Sequence, residues 1–145
     1  MMKRFLIALA LILAPIGAFA ADDNLAPAVL TSASSGNVAA ATATATLAAT
    51  PGYLNRICGF EITSSGSTGA AVVSGTVTGV AGGTMTFTYT TVAGATLANA
   101  PLVVPFTPCV PASAPNTAIA VSLPSLGAGN TNATVSAQGY RTVWP

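Results

Sequence analysis

Alternation of small apolar and polar residues, with a period of two, governs this chain from Asn37 onward. Ala41-Thr42-Ala43-Thr44-Ala45-Thr46 alternates without a break, as a half-buried strand does. Met85, Phe87 and Tyr89 are interleaved with Thr84, Thr86, Thr88 and Thr90, which places the large residues inward and the threonines outward. Thr117 to Leu123 repeats the pattern, with Ile119, Val121 and Leu123 inward. Leu54 to Thr63 is a further strand. Leu54, Cys58, Phe60 and Ile62 share one face, Glu61 falls on the other, and Arg56 is an exception near the start. Ala71 to Val80 and Thr131 to Tyr140 supply two more strands. Pro101 to Phe106 is short and bounded by prolines, as an edge strand tolerates. Pro108, Pro111 and Pro115 make the stretch around Cys109 a loop.

Turn signals at Pro51-Gly52, Ser64 to Gly69, Ala81-Gly82-Gly83, Ala93-Gly94 and Pro124 to Asn130 separate these segments. No helical period is present after residue 20. The expected fold is all-β: an antiparallel β-sandwich or jelly roll of about seven to eight strands.

The first twenty residues follow a different rule. Lys3 and Arg4 precede the apolar run Phe5 to Ala14; Pro15 and Gly17 break it, and Ala18-Phe19-Ala20 offers a small-x-small cleavage site. Residues 1–20 therefore read as a cleaved signal peptide. The run is about half of the roughly 20 residues that a bilayer-spanning helix requires. Residues 21–36, with Asp22, Asp23, Pro27 and a serine-rich run, read as a flexible lead-in; 37–140 as the sandwich domain; 141–145 as a C-terminal tail. The expected location is the periplasm, the cell surface or the exterior, with no membrane span once the leader is removed.

Export gives the two cysteines, Cys58 and Cys109, an oxidising environment. They are expected to form one disulfide, joining the second strand to the loop after the fifth. It closes a 51-residue loop, for which loop-closure entropy gives about 4 kcal/mol of stabilisation. Two thiols so far apart, with no histidine in the chain, make a poor metal site.

Charge narrows the function. Past residue 20 the charged side chains are Asp22, Asp23, Arg56, Glu61 and Arg141. Two separated arginines cannot neutralise a run of phosphates, so nucleic acid is excluded as a partner, and docking on acidic lipid headgroups is disfavoured. Proton-transfer catalysis needs positioned titratable groups, and neither histidine nor a lysine past residue 20 is available. Glu61 alone reads as an exposed strand residue or a partner for Arg56 or Arg141. No enzyme, cofactor or metal site is expected. Hydrophobic residues make up 52% of the chain and charged ones 5%, so the polypeptide should fold rather than stay disordered and should associate with itself readily.

Leu47-Ala48-Ala49-Thr50-Pro51-Gly52, Gly59-Phe60-Glu61-Ile62-Thr63, Val77-Thr78-Gly79-Val80-Ala81-Gly82-Gly83-Thr84, Pro101-Leu102-Val103-Val104, Pro111 to Ile119 and Gly127 to Asn132 carry a resemblance. Over about 46–140 the chain resembles small virion-associated proteins, of the head-decoration type, from tailed phages and prophages. The resemblance implies a β-sandwich that serves as a structural or decorating subunit.

The sharpest surface feature is the C-terminal Tyr140-Arg141-Thr142-Val143-Trp144-Pro145. Aromatic residues and arginine anchor interfaces, which makes Tyr140, Arg141 and Trp144 candidate interface residues. The expected function is that of an exported, non-catalytic structural or assembly subunit acting through self-association or with other surface or particle proteins. A variant of it donates the Ala41–Thr46 strand to a neighbour. The alternative is a secreted module that binds a glycan or a host surface molecule through Tyr53, Tyr140 or Trp144.

Overall fold

A computed structural model describes residues 28–145 except 68, 95 and 131. The expected signal peptide, and the part of the expected lead-in before residue 28, lie outside the described residues. Eight strands are present: β1 (Val29–Ser34), β2 (Ala43–Leu47), β3 (Tyr53–Ser65), β4 (Ala71–Thr78), β5 (Met85–Thr91), β6 (Leu102–Pro111), β7 (Ile119–Leu123) and β8 (Asn132–Val143). They form two four-stranded antiparallel sheets, ordered β1-β8-β3-β6 and β2-β7-β4-β5. That interleaved order is a jelly roll, which decides between the two all-β alternatives.

The core lies between the sheets. Ala43, Ala45, Ile119, Val121, Leu123 and Val77 face it from the second sheet, each fully buried. Ile57, Phe60, Ile62, Val135 and Ala137 answer from the first. Each large aliphatic buried this way contributes about 1.5–3 kcal/mol. At one side Phe60, Phe87 and Phe106 pack edge-on and tilted, with centroids 5.0–6.2 Å apart. At another, the Tyr89 hydroxyl shares a 2.8 Å hydrogen bond with Ser64, and Asn99 donates to Ser64 at 2.7 Å, so a buried polar seam ties β5 to β3.

Three expectations are corrected. The segment read as lead-in supplies β1: Val29 to Ser34 pair residue by residue with Arg141 to Ser136 of β8. The prolines after Phe106 do not end the strand, because β6 continues to Pro111 along the sheet's edge, where a missing N–H costs no ladder bond. Cys109 therefore lies in β6, not in a loop. The apolar face of β3 also changes parity. Asn55 and Ile57 are buried before Cys58, and Phe60, Ile62 and Ser64 after it. Cys58 is an extra residue relative to β8, since Ile57 pairs with Gly139 and Gly59 with Gln138. Such a bulge flips every following side chain to the opposite face. It also presses the two strands together: a Cβ at Gly139 would fall on the Arg56 carbonyl.

Candidate functional site

The disulfide forms where β3 and β6 lose register. Cys58 and Cys109 are bonded at 2.03 Å. Ile57 pairs with Val110, yet Gly59 pairs with Pro105, so β6 loops out four residues opposite one. The bridge holds that irregular stretch against the sheet.

The three candidate interface residues separate into two groups. Tyr140 lies in β8 as expected, and Arg141 belongs to the same strand, which runs on to Val143, rather than to a tail. Arg141 Nη1 donates to Thr50 Oγ1 at 2.8 Å, and its guanidinium lies 5.1 Å from the centre of the Tyr53 ring. This arginine is an internal tie that locks the β8 end to the turn before β3. Trp144 differs: its backbone N–H donates to the Gly52 carbonyl at 2.8 Å, while its side chain is 51% exposed. Leu30, 85% exposed, pairs with Tyr140, and Val29 with Arg141. Val143, also exposed, follows two residues later in β8. Leu30 is thus exposed on β1, whose outer edge has no strand partner among the described residues, while Val143 and Trp144 are exposed at the end of β8, on the side of β3.

The outward faces of the two sheets are chemically distinct. On the second sheet, Thr44, Ser122, Thr76 and Thr86 lie in one row across all four strands. Thr46, Ala120 and Thr78 form the next row. No charged residue interrupts either.

On the first sheet, register aligns Ser34, Ser136, Glu61 and Val103 in one row and Ser32, Gln138, Gly59 and Pro105 in the adjacent row. All of these except Gly59 line a trough of about 430 Å³. Its floor is low because three serines stand where other sheets carry longer side chains. Gly59 has no room for more: a Cβ there would meet the Val104 carbonyl oxygen at 2.9 Å and the Gln138 amide nitrogen at 3.7 Å. Glu61 is exposed on this face. With Arg141 committed to Thr50, it has no ion-pair partner among the described residues. Of the trough residues only Glu61 stands out in the sequence. Ser32 and Ser34 sit in what reads as a lead-in, and Ser136 and Gln138 have no distinguishing neighbours.

Comparison with protein-family models, with curated proteins and with solved structures gave no match.

Proposed function

We propose that the protein is an exported, non-catalytic structural subunit of a surface or virion-like assembly, acting through self-association. The supporting observation is the edge strand β1, which has no partner on its outer side among the described residues and carries the exposed Leu30, with Val143 and Trp144 also exposed at the end of the neighbouring β8. An edge strand with bare N–H and C=O groups is a template for pairing, and natural proteins usually guard it with charge or proline. Here β1 carries neither: Val29-Leu30-Thr31-Ser32-Ala33-Ser34. The low charge of the whole chain supplies little repulsion between copies. The resemblance to phage head-decoration proteins points the same way, and jelly rolls recur in viral capsids, although a fold alone does not set a function.

The test is sedimentation of the protein recovered from the export compartment, from about 1 µM to about 1 mM. A closed oligomer or a ladder of higher species is expected. Leu30→Lys and Trp144→Ser should each yield monomer with an unchanged far-ultraviolet spectrum. A wild-type protein that stays monomeric over the whole range ends the proposal. Removing residues 141–145 is a poorer test, because it also takes the Arg141 tie to Thr50 out of the fold.

A further inference from the structure

We infer that the trough on the outer face of the first sheet is a binding site for a neutral saccharide. The inference does not rest on self-association. It starts from what the four strands bring together: one carboxylate, one carboxamide, three hydroxyls and an apolar rim. Ser32 and Ser34 come from β1, Glu61 from β3, and Ser136 and Gln138 from β8. Val103 and Pro105 of β6 form the rim along the other side, and Val103 is 63% exposed.

Each group has a defined use. An ionised carboxylate only accepts, through two oxygens, and so suits a pair of adjacent hydroxyl groups on a sugar ring. The carboxamide of Gln138 both donates and accepts, as do the serine hydroxyls, which matches the mixed donor and acceptor character of a polyol. Val103 and Pro105 offer an apolar strip for the C–H face of the ring. A trough of about 430 Å³ falls within the range of small-ligand sites, and such sites combine apolar walls with a few convergent polar groups. Other classes fit less well. The described residues contain no group of three or more side chains suited to a metal ion. An anion would meet Glu61 head-on. A strongly held organic cation would call for more than one carboxylate, or for an aromatic cage, and the rim here is aliphatic.

The bulge at Cys58 is what creates the site. It turns Glu61 outward, into the same row as Ser34 and Ser136, next to the row that holds Ser32 and Gln138. The staple next to it holds β6, and with it the rim, in place.

The test is titration of the full-length expression product, labelled with ¹⁵N, with lactose, cellobiose, maltose and N,N′-diacetylchitobiose in turn, each to about 20 mM. At least one sugar should shift the amides of Ser32, Ser34, Glu61, Val103, Ser136 and Gln138 in a saturable way. Glu61→Gln should weaken that binding about ten-fold or more, by removing a charge-assisted acceptor. Ser136→Phe, which fills the trough from a partly exposed position, should abolish it while the spectrum stays dispersed. The inference falls if no sugar moves these amides, if the shifts centre on Tyr140 and Trp144, or if binding survives both substitutions. It also falls if free lysine, added alone, saturates the Glu61 amide and the sugars do not. Sugar binding by a strictly monomeric protein would uphold this site and end the assembly reading; an oligomer blind to all four sugars would do the reverse.

Discussion

The two sheets solve the same packing problem in different ways. The second sheet, β2-β7-β4-β5, is regular: its registers run without a break, its inner face is aliphatic and aromatic, and its outer face is an uncharged field of threonine and serine. The first sheet, β1-β8-β3-β6, holds Arg56, Glu61 and Arg141, the bulge, the four-residue excursion in β6, the disulfide and the trough. Irregularity and chemistry fall on the same sheet. Uninterrupted alternation gives a surface that only covers a core. Breaking it re-aims side chains and makes a concave site, and the broken stretch then needs its own support.

The comparison can be broken most directly at the staple. Replacing both Cys58 and Cys109 with alanine should lower unfolding free energy by about 4 kcal/mol, the loop-closure contribution for a 51-residue loop. Guanidinium denaturation of the two proteins measures it. A loss under about 1 kcal/mol would mean that the first sheet keeps its irregular stretch by packing alone.

A smaller effect follows from the polar seam between the sheets. Burial pushes the Tyr89 hydroxyl above its ordinary pKa of 10.0, and the hydrogen bond with Ser64 opposes this only in part. Because the folded pKa is the higher one, stability is fully present below pH 10.0. It is lost as the pH climbs from there through the folded value, since the unfolded chain ionises first. Melting temperature measured from about pH 9 to about pH 12 should fall across that window, and Tyr89→Phe should flatten the fall. A profile that is the same in both proteins would assign the loss to other groups.

The smallest effect should come from the threonine field. Thr76 and Thr86 lie directly opposite each other on β4 and β5. Thr76→Glu combined with Thr86→Lys should change stability by no more than about 0.5 kcal/mol, because exposed substitutions away from special features rarely do more. A loss of several kcal/mol would show that this face is packed against something rather than merely wet.

The same contrast explains what could be read in the sequence. The strands of the regular sheet are the alternating segments: Ala41 to Thr46 leads into β2, Thr84 to Thr90 matches β5 within one residue, and Ile119, Val121 and Leu123 are all fully buried in β7. The first sheet was harder to read. β1 has no large residue facing the core, only Thr31 and Ala33 half-buried, and it is a strand because β8 pairs with it. The flip at Cys58 cannot be seen from periodicity, since it depends on the register with a partner 80 residues away in sequence. Leu54, Cys58, Phe60 and Ile62 therefore do not form one face. The pairing of the cysteines was legible because only one intramolecular pair was available. The trough was not, because its residues come from four strands and only the sheet order brings them together.

The pairing of β1 with β8 has a mechanical side. Val29 lies opposite Arg141, so the described chain enters and leaves the first sheet at the same corner. Tension between those two points would open the β1–β8 ladder rung by rung, as a zip parts, instead of shearing all six rungs at once. Peeling would thus begin at low force. Cys58 and Cys109 would stop it from spreading through the middle, because the segment between them, which spans a sequence separation of 51, cannot be drawn out while the bond stands. Held at one end and pulled at the other, the protein would yield first at its rim and keep its central loop intact.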